Sequence, residues 1–136
     1  MRTAYPIVIF KKELDEKYHL VYIPDLDSTT QGEDLFECMQ MARDLIGITW
    51  IDYTEDDKEF PKAFSSNRKY PFDEVMDIEI ESIVEIDFNE YKNRLENKRV
   101  KKTLSIPYNL NRLAEQNGIN FSKVLTIALE RELNVN

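Results

Sequence analysis

Glycine occurs three times in 136 residues, and cysteine and histidine once each. Gly32, Gly47 and Gly118 stand too far apart to build a phosphate-cradling glycine loop. Cys38 alone closes no internal disulfide, which fits a reducing cytoplasm. No basic residue or histidine lies near it in sequence to favour a thiolate, so it is expected to pack on a helix. His19 is expected within a strand, with an ordinary satisfied side chain. No apolar run approaches the roughly 20 residues of a membrane-spanning helix. The opening MRTAYPIVIF reads as strand and lacks a small-residue cleavage site, so no signal peptide is expected. Internal repeats and low-complexity tracts are missing too.

Charge is plentiful but unevenly placed. The net charge is -8. Residues 98–136 hold seven basic side chains and three acidic ones, a balance of +4, so residues 1–97 carry -12. An acidic body with a basic tail implies two partners. The tail suits phosphates, whereas the body repels nucleic acid and attracts something basic.

Periodicity sets the expected order of elements. Tyr5 to Lys11 and Tyr18 to Ile23 read as a hairpin around the charged turn Lys12 to Lys17, and Ser28 to Gln31 reads as a short third strand. Leu35, Phe36, Met39, Ala42, Leu45 and Ile46 recur at helical steps, with Glu33, Asp34 and Glu37 in the first turns and Gly47 as terminator. Ile48 to Tyr53 is ambiguous between states. Thr54 to Pro71 reads as a long surface connection. Ile78 to Ile86 returns to strand, Asp87 caps a short helix from Phe88 to Leu95, and a polar linker follows. The expected fold class is α+β: a β-β-β-α-β body with a short helix over residues 1–96, then a β-α-α module over residues 97–136.

Carboxylates cluster at Asp25 and Asp27 and at Glu33, Asp34 and Glu37. A two-metal nuclease needs such groups converging from different elements on ions about 4 Å apart. Among 26 acidic residues clusters arise by chance, and a turn and a helix first turn account for these. No catalytic residue, metal or cofactor is expected. Trp50, Phe60 and Phe64 are expected in the core rather than as partner anchors.

The last third carries the sharpest pattern. From Val100 to Ile106 the chain alternates, with Leu104 and Ile106 on one side and Lys101, Thr103 and Ser105 on the other, before Pro107 stops it. A helix from Tyr108 to Asn117 turns Leu110, Leu113 and Ala114 inward and ends at Gly118. Asn120 caps a second helix with an apolar face of Val124, Leu125, Ala128, Leu129 and Leu133. One strand and two short helices bury too little to stand alone, and a lone strand leaves its ladder unmade. Two copies pairing their strands and interlocking their helices remove both defects. The resulting ribbon matches a DNA major groove.

This pattern resembles the ribbon-helix-helix repressors over nearly all of residues 100–135. The resemblance implies base contacts from Lys101, Thr103 and Ser105, and phosphate held at the start of the second helix near Asn120, Phe121, Ser122 and Lys123, where helices favour anions. Lys102 shares the side of Leu104 and Ile106, where the family more commonly has an apolar residue, which leaves open whether Lys101 or Lys102 faces DNA. The body, from Tyr5-Pro-Ile-Val-Ile-Phe through Tyr22-Ile-Pro-Asp-Leu-Asp to Thr30-Gln-Gly-Glu-Asp-Leu-Phe-Glu-Cys-Met, resembles the HicB antitoxin domain. That resemblance implies a partial RNase H-like fold without a working active site. It also implies a HicA-type toxin as partner, a small basic ribonuclease with a double-stranded-RNA-binding-like fold. The combined expectation is a cytoplasmic, non-enzymatic antitoxin that binds a toxin through residues not assignable from sequence and, as a homodimer or higher oligomer, represses an operator. The rival expectation is a ligand-sensing ribbon-helix-helix transcription factor without a toxin.

Overall fold

The computed structural model describes residues 1–67 and 76–135 and separates into two compact units, Met1–Lys98 and Arg99–Asn136. In the first unit, strands β1 (Arg2–Phe10), β2 (His19–Ile23), β3 (Ser28–Gly32) and β4 (Ile78–Asp87) form one sheet in the order β3-β2-β1-β4. All neighbouring pairs are antiparallel. Helix α1 (Leu35–Glu55) joins β3 to β4, and α2 (Phe88–Glu96) follows β4 directly.

Successive strand side chains point to opposite faces, and β1 is apolar on both. Tyr5, Ile7 and Ile9 join Val21, Ile23, Val84 and Ile86 in the main core, against Cys38, Ala42 and Ile46 of α1 and Phe88 and Tyr91 of α2. The four-residue steps along α1 place its three core residues on one stripe. Val8, Phe10 and Tyr22 form a smaller cluster on the other face with Leu20, Met76 and Ile78. A register shift decides where Ile78 goes: Ile9 pairs with Ile80 but Phe10 pairs with Ile78, so Glu79 is the extra residue of a bulge. The bulge lets Ile78 and Ile80, two residues apart, serve opposite faces.

Helix α1 starts at Leu35, with Asp34 as its cap, the carboxylate accepting from the Glu37 amide at 2.8 Å. Glu33 therefore lies outside the helix, where it pairs with Lys17 at 3.1 Å. The expectation that Gly47 ends the helix is wrong, since α1 runs on through Ile48–Tyr53 to Glu55. Gly47 serves close packing instead. A β-carbon there would lie 2.1 Å from Cε1 of Tyr91, so only glycine lets that ring reach the helix backbone. The Tyr91 hydroxyl donates to Asp44 Oδ1 at 2.9 Å, and burial together with that carboxylate pushes its pKa up to about 12. Asp87 caps α2 by accepting from the Asn89 amide at 3.0 Å.

Beyond α1 the connection is tied down more than its polar composition suggests. Phe60 makes edge contacts with Tyr5, Tyr53 and Phe88, and Trp50 stacks on Phe88 at 5.2 Å. Both join the core as expected. Phe64 does not: it is 65 % exposed and sits at φ 59°. The predicted connection's last part, residues 68–71, lies outside the described residues.

The second unit is a helical hairpin, α3 (Tyr108–Gln116) and α4 (Phe121–Leu133). Gly118 at φ 64° follows α3, its amide donating to Glu115 O and that of Ile119 to Ala114 O, a closure that needs a left-handed residue. Asn134, at φ 54°, closes α4 in the same way. The apolar faces expected to turn inward stay largely exposed among the described residues. Leu104, Leu110, Leu113, Val124 and Leu129 are each at least half exposed, and no residue described in this unit is buried. Residues 100–107 likewise form no strand in the single chain, because a ladder needs a neighbour.

Candidate nucleic-acid interface and partner surface

Lys101, Thr103 and Ser105 all lie exposed on the segment leading to Pro107, and Lys102 is exposed as well. Asn120, Ser122 and Lys123 come together at the α4 N-terminus. There the Asn120 carboxamide oxygen accepts from the Lys123 amide at 3.1 Å, so that amide is already engaged by the cap. The Ser122 carbonyl accepts from the Thr126 hydroxyl at 2.8 Å. No hydrogen bond among the described residues joins the Lys101–Ser105 group to the Asn120–Lys123 group.

Among the described residues none of Arg99, Lys101, Lys102, Arg112, Lys123 and Arg131 lies in an ion pair. The body treats its cations differently. Lys17 pairs with Glu33, Lys58 with Asp56, Lys92 with Glu96 and Lys98 with Glu55, and Arg2 and the N-terminus share Asp87. Arg43 donates to the Glu85 carbonyl, and Arg94 lies over the Tyr91 ring.

Of the clustered carboxylates, Asp25, Asp27, Glu33 and Asp34 have structural partners. Asp25, which is buried, accepts from three consecutive amides: Phe64 at 2.9 Å, Ser65 at 3.0 Å and Ser66 at 2.9 Å. It thereby ties the connection after α1 to the turn after β2. Asp27 accepts from the Tyr22 hydroxyl at 2.7 Å. Among the described residues no three His, Cys, Asp or Glu side chains are placed to hold an ion. His19 is buried with Nδ1 2.8 Å from the Phe10 carbonyl. Cys38 is buried on α1, where loss of solvent, followed by the nearby Asp34 and Glu37, raises its thiol pKa. Both match their expected structural roles.

On the body's surface, a groove of about 510 Å³ lies between Pro6, Pro24, Phe64 and Ile83, with Asp25 and Glu81 also lining it. Sequence reasoning missed this groove because it combines four elements.

A solved structure of a toxin–antitoxin complex from Streptococcus pneumoniae contains a chain that is 31 % identical to this one, with a TM-score of 0.62. The match covers 97 % of this chain and 99 % of that one. The chain belongs to this toxin–antitoxin family. The crystal structure of the antitoxin HicB from Burkholderia pseudomallei is also similar, at 18 % identity and a TM-score of 0.49 over 97 % of each chain. No protein-family model matches the sequence, and no curated protein does. Membership of the toxin–antitoxin family extends over both units, the acidic body and the basic hairpin alike. None of the described helices is long and apolar enough to cross a membrane.

Proposed function

We propose that this chain is a non-enzymatic cytoplasmic antitoxin of the HicB type. In this reading residues 1–96 capture and block a HicA-type toxin, a small basic ribonuclease. Residues 97–136 pair two copies into a ribbon-helix-helix that binds operator DNA and represses transcription. The observation that carries the reading is the family likeness at 31 % identity along the whole chain. Three features support its division of labour. The body is strongly acidic, and charge complementarity of this kind speeds and orients the approach of a basic protein. The hairpin carries apolar faces that no single copy buries, and burying such surface drives association. Its cations have no carboxylate partners among the described residues, as phosphate contacts require.

The test is to look beside the gene for a short basic open reading frame and to co-express its product with this chain. A stable complex in which RNA cleavage is suppressed supports capture. A chain that purifies alone and changes its DNA affinity with a metabolite favours the ligand-sensing regulator instead. Gel shifts on the upstream promoter test the repressor half, and binding there should weaken as salt rises, because each phosphate contact releases counterions.

A further inference from the structure

Strand β4 is an edge of the sheet among the described residues, and its hydrogen-bonding direction follows from the register. The Phe88 amide donates to the Met1 carbonyl at 3.0 Å, one step beyond the pair Arg2–Asp87. Antiparallel pairs alternate between bonded and non-bonded. Thr3–Ile86, Tyr5–Val84 and Ile7–Ser82 are therefore the bonded pairs, and Ala4–Glu85, Pro6–Ile83 and Val8–Glu81 are the non-bonded ones. In the non-bonded pairs the β4 residue turns its N–H and C=O away from β1. Arg43 Nε confirms that direction by donating to the Glu85 carbonyl at 2.8 Å. Arg43 thus occupies one end of the edge, and the Glu79 bulge interrupts the other. Between them the N–H and C=O of Glu81 and Ile83 face outward, on a stretch whose Glu79, Ile80, Glu81 and Ile83 are all exposed.

We propose that this outer edge of β4 docks an extended, positively charged segment of a protein partner, which adds to the sheet as a further strand. The charges select that occupant over a second copy of the chain. Antiparallel self-pairing centred on Ile83 would set Glu81 opposite Glu85, and Glu79 opposite Asp87. Like charges directly opposed destabilise a ladder, whereas Lys or Arg opposite the same carboxylates stabilises it. Strand addition of this kind takes affinity from main-chain bonds and specificity from alternate side chains. The identification of the partner as the toxin rests on the proposed function; the edge itself does not.

The experiment uses isotopically labelled full-length protein and an alternating Lys-Val peptide as probe, followed by amide chemical shifts. Shifts should concentrate at Glu79 to Ile83. Affinity should fall about tenfold when alternate peptide amides are N-methylated, because ladder bonds are lost without any change to the protein. The Glu79→Lys, Glu81→Lys double variant should bind the lysine peptide more weakly and an alternating Glu-Val peptide more tightly. Shifts confined to β3 or α1, equal binding of the N-methylated peptide, or no binding would each overturn the proposal. Toxin capture that fails while the peptide still docks would sink the proposed function and leave the edge standing. Capture that persists without peptide docking would do the reverse.

Discussion

In Met1–Lys98, Phe10, Val21, Ile23 and Ile46 are sealed from solvent and most of the exposed cations are matched by carboxylates or carbonyls. In Arg99–Asn136 no described residue is buried and no cation lies in an ion pair. The first unit meets its apolar and electrostatic needs internally. The second has regular helices, well capped at both ends of the hairpin turn, yet among its described residues neither need is met. Local helix quality and tertiary stability are therefore separate properties here, since most helical stability in proteins comes from packing an apolar face.

Substitutions in both units, and one pH dependence, would test that contrast. The largest effect is expected from Leu113→Asp with Leu125→Asp, which should leave a monomer in sedimentation experiments and abolish operator binding while the body melts as before; a surviving dimer would mean the hairpins do not pair by these faces. Next, Ile7→Ala should destabilise the body by about 2–5 kcal/mol, the range for emptying a packed site. The body's melting temperature should not depend on protein concentration, whereas unfolding of the hairpin should, because association stabilises by mass action. Asp25→Ala should cost about 1–3 kcal/mol in chemical denaturation, since it removes a buried carboxylate that three amides share. Lys101→Ala or Thr103→Ala should weaken specific DNA binding by about 1–3 kcal/mol and leave the dimer intact; loss of the dimer instead would reverse the two faces of the ribbon. The smallest effect concerns Asp87. The Asn89 amide above all, and then the N-terminus and Arg2, hold its carboxyl below the usual range. The ionised form thus supports the fold above the ordinary carboxylate pKa, and that support fades as pH falls through the lowered value. Asp87→Asn should flatten this part of the acid-unfolding curve.

Sequence alone exposed whatever was written in local periodicity. β1 and β4 showed through their β-branched runs, α2 through the cap at Asp87, and the α3–α4 turn through Gly118 and Asn120. It failed where a residue's meaning depended on a distant one. Gly47 resembled a helix terminator because nothing nearby announces that Tyr91 packs there. Phe60 and Phe64 look alike in sequence, yet one meets Tyr5 and Phe88 and the other faces solvent. Asp25 read as a turn residue, and its three amide partners lie about forty positions on. The β4 edge became visible only once the strand order was known. Lys101, Thr103 and Ser105 were legible as a polar row, but a row becomes a ribbon only beside its twin.

The Asp25 carboxylate has one more consequence. A single side chain accepts from the amides of Phe64, Ser65 and Ser66, so the protection of all three is coupled through it, with Ser65 also donating to the Lys62 carbonyl at 3.3 Å. In hydrogen exchange the three would speed up as a group when that carboxylate is removed, which marks one side chain as the tether of this stretch.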